Sequence, residues 1–301
     1  MRIIDAHSHL GDILEGKGII YKLNVAKEPV FDPIDFFETI LYDTSSIEGG
    51  VPEETPEIVM AERARNFTAT LQNMQRSLEE SSVDYTVCLP ILPYVSFEDL
   101  LAASRIDPRI IPFTCIDYNL GEEAGKKLVE DVEKGAMGLK IHPIIQQRSL
   151  ADKLTLSAVQ HFSKTGRPVL VHTGVSQYYA ETEAYRNTPD YGKIKYFEAL
   201  VREFPQVKFI AGHAGLFQRE ELMERMKGLP NVWVDTSFQS PDFVHKLLET
   251  FGTEKVMYGS DWPFGNRPPS IESVKIACRN DRVLENMLLF ENAANLLQLN
   301  I

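Results

Sequence analysis

Cysteine, long apolar runs and positive charge are all scarce in this chain. Its three cysteines are widely spaced and form no C-x-x-C pair, which argues against a disulfide framework and against a thiolate zinc site. No run of about 18 apolar residues occurs, and the first residues lack the apolar core of a signal peptide, so neither a transmembrane helix nor export is predicted. We therefore expect a cytoplasmic protein.

The shortage of positive charge limits the partners. Lysine and arginine total 31 residues against 43 aspartates and glutamates, a formal net charge of −12. Such a chain would be repelled by nucleic-acid phosphates and by anionic membrane surfaces, so a small-molecule substrate is the expected partner. With 44% hydrophobic and 25% charged residues, the chain has enough apolar material for a large core.

Short apolar segments alternate with longer helical patterns, which is typical of βαβ units and a parallel sheet. Eight such segments occur, and eight favour a closed (β/α)8 TIM barrel over an open, doubly wound sheet. Barrels of this kind use about 250 residues as one domain, so residues 1–301 are predicted to form a single domain. The candidate strands are residues 2–7, 84–89, 110–116, 138–142, 168–172, 208–213, 232–236 and 255–259.

The segment between the first two strands is unusually long. Thr55 and Pro56 provide an N-cap and a first-turn proline for a helix that is predicted to continue to about Glu80. Before it, residues 11–54 form an insertion, and a loop of that length is typically a lid or an element of its own. Its aromatic side chains need cover, which predicts a homodimer surface. They are Tyr21, Phe31, Phe36, Phe37 and Tyr42.

Histidines concentrate at the ends of the predicted strands. His7 and His9 lie two residues apart, so both side chains are expected on one face of the first strand, together with Ile3 and Asp5 and pointing into the barrel mouth. An H-x-H pair alone is a weak signal, because two nearby histidines are commonly surface residues. Of seven histidines, however, five end a predicted strand: His7, His9, His142, His172 and His213. Asp261 follows the last strand in the same way.

This distribution predicts a metal centre. Three imidazoles and a carboxylate suit Zn²⁺ best, and Mn²⁺ or Fe²⁺ accept the same donors. A bound divalent ion lowers the pKa of its water toward about 7 and polarises a carbonyl group. We therefore expect a metal-dependent enzyme.

Six motifs extend this interpretation over the whole chain. They are D-A-H-S-H at 5–9, G-L-K-I-H-P at 138–143, V-H-T-G at 171–174, G-H-A-G at 212–215, G-S-D-W-P at 259–263 and E-N-A-A-N-L at 291–296. In this order the chain resembles the amidohydrolase superfamily, in particular the amidohydrolase-related branch that includes aminocarboxymuconate semialdehyde decarboxylase. The resemblance implies that His7, His9, His172 and Asp261 bind the metal. It also implies that His213 lies beside the ion and exchanges protons, together with Asp261.

Lys140, in the fourth candidate strand (residues 138–142), leaves two possibilities for the number of metal ions, one or two, and one is favoured. In binuclear amidohydrolases, a carboxylated lysine at the position of Lys140 bridges two ions. The alternative is a charged Lys140 that holds a substrate carboxylate or phosphate, with His142 on the same strand face. Trp262 and Arg267, which follow the last strand, are further candidates for substrate binding, because an aromatic ring stacks on substrate and an arginine clamps a carboxylate.

Two reactions fit these residues. The first is hydrolysis of a small amide, ester or lactone through a metal-activated water, with His213 and Asp261 managing protons. The alternative is a lyase reaction at the same ion, the nonoxidative decarboxylation or hydration of a small carboxylic acid. A barrel that keeps the ion without activity is the least favoured interpretation. The sequence favours the hydrolase.

Overall fold

Strands and helices alternate along the chain in a computed structural model that describes residues 1–45 and 55–301. Each of the eight predicted strand segments contains a strand, and the third contains two. The strands are β1 Ile4–Ser8, β2 Tyr85–Cys88, β3 Ile110–Pro112, β4 Thr114–Cys115, β5 Leu139–Ile141, β6 Val169–His172, β7 Phe209–Gly212, β8 Val232–Asp235 and β9 Val256–Met257.

The helices surround these strands. The α-helices are α1 Pro33–Thr39, α2 Pro56–Asn66, α3 Leu71–Glu80, α4 Phe97–Ile106, α5 Ala124–Glu133, α6 Lys153–Phe162, α7 Ile194–Glu203, α8 Arg219–Met226, α9 Pro241–Phe251, α10 Arg267–Ala277, α11 Arg282–Asn286 and α12 Asn292–Leu297. Short 3-10 segments lie at Tyr118–Glu123, Ser163–Thr165, Glu181–Arg186, Pro189–Gly192 and His213–Gln218, and a π-helical turn at Met287–Glu291 joins α11 to α12. None of the helices in the described ranges has the length and apolarity that crossing a bilayer requires.

The strands form a closed parallel barrel. Hydrogen-bonded neighbours run β1-β2-β3 and β4-β5-β6-β7-β8-β9, and every pair is parallel. The Ala6 N–H donates to the Tyr258 carbonyl at 2.9 Å and the Asp261 N–H donates to the His7 carbonyl at 2.8 Å, so the last strand segment joins the first. The predicted (β/α)8 barrel is confirmed.

The third barrel strand is interrupted at Phe113. The Phe113 N–H donates to the Cys88 carbonyl on the β2 side, whereas the next N–H, of Thr114, donates to the Gly138 carbonyl beside β5. The strand therefore changes its hydrogen-bonding neighbour between β3 and β4, which divides one predicted strand into two.

Alternation along the strands separates two apolar layers. Ile4, Leu170, Ile210 and Met257 are almost completely buried and pack with the C-terminal helix α12 at the closed end of the barrel. Val169 and other residues of opposite parity pack against the surrounding helices. Burying each such side chain contributes about 1.5–3 kcal/mol. The polar strand ends are thereby left at the opposite, open mouth.

A β-bulge in β1 corrects one expectation. Asp5 pairs with Thr86 and Ser8 with Cys88, so three steps along β1 match two steps along β2. The extra residue interrupts the alternation of side chains. Asp5 therefore does not share the inward face of His7, as simple alternation predicted, but forms a buried ion pair with Arg267 of α10 at 2.9 Å.

The helix predicted from residue 55 to about 80 is two helices. α2 ends at Asn66, and α3 begins after Thr70, whose hydroxyl accepts a hydrogen bond from the Asn73 N–H at 3.2 Å. The Asn73 side chain also donates to the Thr68 carbonyl at 2.9 Å. These local bonds provide an N-cap within a continuous apolar period, so periodicity alone gave the wrong prediction.

The described part of the insertion, residues 11–45, packs on the barrel mouth and contains the short helix α1. Tyr42 is only 6% exposed, because it packs edge-on against Phe238, and it needs no partner chain. Phe31 and Phe36 remain 76% and 56% exposed. The predicted homodimer surface stays a prediction, and residues 46–54 of the insertion lie outside the described ranges.

Candidate metal centre

The strand-end histidines meet at the open mouth of the barrel. His7 lies in β1, His172 ends β6, and His213 directly follows β7. A glycine in the neighbouring segment allows close packing against His7, since a Cβ atom at Gly259 would lie 3.1 Å from the Cβ atom of His7. His213 and Asp261 have left-handed backbone conformations, with φ of 61° and 58°. Left-handed conformations are uncommon for residues other than glycine, although aspartate and histidine adopt them more readily than most, and they cluster at functional sites.

Four of these residues form what we call the inner cluster: His7, His9, His213 and Asp261. All four are buried. Asp261 Oδ1 lies 3.4 Å from His7 Nε2 and 3.3 Å from His9 Nε2. One ligand atom each from His7, His213 and Asp261 lies within 4.8 Å of the others, a spacing that could hold a metal ion.

Hydrogen bonds on the far side of each ring fix the protons of His7 and His9. His7 Nδ1 donates to Asp235 Oδ2 at 2.8 Å, and His9 Nδ1 donates to the Leu89 carbonyl at 2.9 Å. Carboxylate and carbonyl oxygens only accept, so each Nδ1 carries the hydrogen and each Nε2 keeps a lone pair. Two lone pairs thus face Asp261 Oδ1, a buried oxygen without a hydrogen-bond donor. Lys140 Nζ lies 3.2 Å from one of these acceptors, His7 Nε2, and a divalent ion would satisfy His9 Nε2 and Asp261 Oδ1 as well, so the residues fit such an ion.

Asp235 also fixes the proton of His213. Ser237 Oγ donates to Asp235 Oδ1 at 2.5 Å, so this hydroxyl accepts the hydrogen of His213 Nδ1 at 2.8 Å. His213 Nε2, on the opposite edge of the ring, is therefore unprotonated in the neutral imidazole. One carboxylate orients two histidines of the inner cluster, as is usual for partners of metal-binding imidazoles.

His172, a predicted ligand, lies beside this group. Its Nε2 donates to the Gly174 carbonyl at 3.2 Å, and its buried Nδ1 has no hydrogen-bond partner among the described residues. Its ring stacks on His142 with centroids 4.1 Å apart and lies 4.9 Å from the ring of His213. His172 thus offers a free lone pair, and its role as a metal ligand stays a prediction.

Burial controls the charges of the cluster. Removal from water lowers the pKa of His7, His9 and His213 well below the ordinary histidine value, so these imidazoles are neutral. Burial likewise raises the pKa of Asp261, whose ionised form needs a nearby cation. It also lowers the pKa of Lys140, to about 8, and Lys140 Nζ lies 3.2 Å from His7 Nε2.

An apolar cavity of about 110 Å³ opens onto the inner cluster. A single water needs only about 15 Å³, so a small organic molecule has room. The polar side chains that line the cavity are His9, Thr44, Glu62, His142, His172, Ser176, His213, Arg219 and Asp261. Its walls are mainly aliphatic and aromatic and include Ile13, Ile34, Phe37, Tyr42, Ile58, Ile145, Tyr178, Leu216, Phe217, Phe238 and Phe264.

The family follows from a comparison of the whole chain. The amidohydrolase family profile matches residues 4–299. The chain belongs to this family. The predicted resemblance is confirmed, and with it membership of an enzyme family. The sequence matches no curated protein.

Solved structures share the fold of this amidohydrolase at low sequence identity. 5-Carboxyvanillate decarboxylase from Novosphingobium aromaticivorans, with manganese and 4-hydroxy-3-methoxy-5-nitrobenzoic acid, has a TM-score of 0.66 and 14% identity, with 99% of this chain and 96% of that chain covered. 2,6-Dihydroxybenzoate decarboxylase from Rhizobium has a TM-score of 0.65 and 12% identity, with both chains covered completely (100%). A probable 2-pyrone-4,6-dicarboxylic acid hydrolase from Acinetobacter baumannii has a TM-score of 0.59 and 14% identity, with 99% and 100% covered.

Two predicted substrate-binding residues of this amidohydrolase do not reach the cavity. Arg267 is completely buried between the barrel and the helices, where it donates to Asp5, to Ser77 at 2.7 Å and to Thr86 at 3.3 Å. Trp262 packs against it, with the guanidinium 5.1 Å from the ring centroid. These contacts hold the Arg267 side chain away from the cavity, and neither Arg267 nor Trp262 lines it, so both predictions are corrected.

The other two predicted contacts lie at the site. His142 lines the cavity, and its Nδ1 accepts the Ile145 N–H at 3.2 Å, so the neutral ring carries its hydrogen on Nε2. Lys140 lies deeper, against His7. Their roles toward a substrate stay predictions.

Sequence reasoning missed Ser237 and Arg219. Ser237 follows the β8 carboxylate Asp235 by two residues, a spacing that is common in turns and gave no functional signal. Arg219 is the first residue of α8. Its position in the sequence does not distinguish it from the arginines that follow other strands.

Proposed function

We propose that this amidohydrolase is a metal-dependent, nonoxidative decarboxylase of a small, flat carboxylic acid. The observation that carries the proposal is the apolar, largely aromatic wall above the inner cluster. Decarboxylation breaks a carbon–carbon bond, releases CO2 and leaves an electron pair that takes one proton. Water is not a reactant, whereas hydrolysis needs it in the cavity. The similarity in fold to two aromatic-acid decarboxylases supports the same choice.

The inner cluster provides the binding site for an ion. His7, His9 and Asp261 would hold it, with His172 as a further donor. When bound, a divalent ion polarises the carboxylate and any neighbouring oxygen of the substrate. Neutral imidazoles with one carboxylate suit Mn²⁺ as well as Zn²⁺, so we propose a divalent ion of either kind.

His213 Nε2 is the proposed proton-handling atom. The ring lines the cavity, and its Nδ1 hydrogen is held by Ser237, which leaves the Nε2 edge free to take and return a proton. The Asp235 carboxylate behind Ser237 stabilises the positive charge that forms when Nε2 is protonated. The protonated ring then delivers the proton to the carbon that has lost CO2.

The aromatic wall orients the substrate and excludes water. Phe238 lies 5.7 Å from the His213 ring, and Phe264 lies 6.0 Å from the His9 ring. A flat ring held between such side chains is fixed against the inner cluster, which increases the rate by positioning.

Isotope labelling separates decarboxylation from hydrolysis. The Mn²⁺- and Zn²⁺-loaded protein is incubated in ²H2O with hydroxybenzoates that carry ¹³C in the carboxyl group. We expect ¹³CO2 and one deuterium at the vacated ring carbon. If lactones or amides instead yield acids that contain ¹⁸O from labelled water, and no acid releases ¹³CO2, the chain is a hydrolase.

A matched pair of variants tests the role of His213. His213→Gln should lower kcat by about 100- to 10,000-fold, because the proton-handling group is lost. His245→Gln removes a histidine of α9 outside the cavity and should leave kcat unchanged. Equal kcat in His213→Gln and the parent protein would remove His213 from the mechanism.

A further inference from the structure

Arg219 is the one lysine or arginine among the described residues that line the cavity. It is half-buried and shares the cavity with His213 and Asp261. All four residues of the inner cluster are more buried than Arg219, so Arg219 belongs to the outer part of the cavity lining.

Arg219 has no anionic partner within the ranges 1–45 and 55–301. Its guanidinium lies 3.4 Å from the centroid of the Phe243 ring, and it forms no ion pair or hydrogen bond with a described residue. This is unusual in a chain of net charge −12, in which Arg65 contacts three carboxylates and Arg267 is paired with Asp5. Asp43 and Glu220 influence its charge only from beyond ion-pair distance.

Stacking on Phe243 stabilises the Arg219 charge, but two other features of its position oppose it. Arg219 is the first residue of α8, where the helix dipole disfavours a positive charge. Partial burial removes water from the guanidinium, which lowers the pKa of Arg219. A charge that is partly desolvated, has no carboxylate partner in the described ranges and lies at the unfavourable helix end is suited to binding an anionic ligand.

We infer that Arg219 binds a second anionic group of the substrate, so that the substrate class is flat aromatic acids with two anionic groups. The inference rests on the proposed function, in which the inner cluster takes the carboxylate that reacts. The planar guanidinium offers two parallel N–H donors to a second carboxylate. The apolar wall strengthens this attraction because it excludes water.

The inference is tested without turnover by comparing the affinities of a monocarboxylate and a dicarboxylate. The probes are benzoate and benzene-1,3-dicarboxylate, titrated calorimetrically into the Zn²⁺-loaded protein. We expect the dicarboxylate to bind at least about tenfold more tightly, as a charge-assisted hydrogen bond warrants. Arg219→Gln should abolish this preference and leave benzoate affinity unchanged, and Arg219→Lys should restore part of it.

The control variant is Arg202→Gln, which makes the same charge change at an exposed arginine paired with Glu198 on α7. It should leave both affinities unchanged. With a dianionic substrate that turns over, Arg219→Gln should raise KM more than it lowers kcat.

The outcomes separate this inference from the proposed function. Equal affinity of the two probes for the parent protein, no measurable binding of the dicarboxylate, or a preference that persists in Arg219→Gln each overturns the role of Arg219. Decarboxylation of monoacids with those results would leave the proposed function intact. A dicarboxylate preference that depends on Arg219, without release of CO2 from any acid, would support the anion site and overturn the decarboxylase.

Discussion

Two buried polar clusters use neighbouring residues of the same strand segments. They differ in whether every charged group in the cluster has a hydrogen-bond or ion-pair partner. The inner cluster uses His7 and Asp261. What we call the outer cluster lies between the barrel and the helices and uses the nearby residues Asp5 and Ser260. It consists of Asp5, Ser77, Thr86, Ser260 and Arg267.

In the outer cluster the charged groups are paired. Asp5 Oδ2 accepts from Arg267 Nε at 2.9 Å and from Ser260 Oγ at 2.6 Å, while Asp5 Oδ1 accepts from the Ser260 N–H at 3.0 Å. In the inner cluster, Asp261 Oδ1 is buried without a hydrogen-bond donor, and Nδ1 of the neighbouring His172 is likewise buried without a partner among the described residues. Buried polar atoms normally have partners, so the difference indicates that the outer cluster serves the fold and the inner cluster serves a ligand.

The largest expected effect comes from breaking the inner cluster. His9→Leu removes one of the converging acceptors, and bound metal should fall from about one ion per chain to nearly none, with loss of activity. The weakening should exceed the roughly 10- to 100-fold that loss of an outer hydrogen-bond partner causes. Metal analysis after gel filtration measures it, and chelated parent protein reloaded with Mn²⁺ or Zn²⁺ is the control. One tightly bound ion in the variant would contradict the assignment.

The outer cluster should respond in stability instead. Asp5→Asn leaves the buried Arg267 charge without its carboxylate and should lower the free energy of unfolding by about 3–5 kcal/mol. Urea unfolding of the metal-free protein measures this loss. The folded fraction should still bind one ion per chain.

The double variant Asp5→Leu with Arg267→Met is the matched control for that change. It removes both charges, so it should recover much of the lost stability. If Asp5→Asn lowers metal content and leaves unfolding unchanged, the contrast between the two clusters is wrong.

The smallest of these effects is expected at Asp235, which orients two histidines of the inner cluster without being a predicted metal ligand. Asp235→Asn removes the carboxylate that orients His7 and His213, and should weaken metal binding by about 10- to 100-fold. Competition with a coloured chelator measures the affinity. Ser237→Ala, which contacts His213 but not His7, should have a smaller effect, and the reverse order would contradict the role given to Asp235.

Much of the fold and of the candidate site could be predicted from the sequence. Each predicted strand segment contains a strand, because apolar runs and helical periods are local properties of the chain. A residue at the C-terminal end of a parallel barrel strand lies at the mouth, whichever strand it ends. His7, His213 and Asp261 therefore could be placed together before their distances were known.

Two of the failed predictions concern features that depend on distant contacts, whereas the third concerns local bonds that the apolar periodicity concealed. The bulge that turns Asp5 outward results from pairing with β2, and Arg267 was expected at the mouth because only its position after a strand was visible. The break between α2 and α3 depends on side-chain bonds of Thr70 and Asn73 within an unbroken apolar period.

The sequence by itself determined the barrel, the family and the set of histidines and aspartate at the strand ends, because short-range periodicity and motif order carry that information. Only the tertiary structure decided which atoms lack partners. Asp261 Oδ1 faces two imidazole lone pairs, while Arg267 is matched to Asp5. This outcome depends on ring orientations that Asp235 and Leu89 set across the barrel, and no local pattern specifies such orientations.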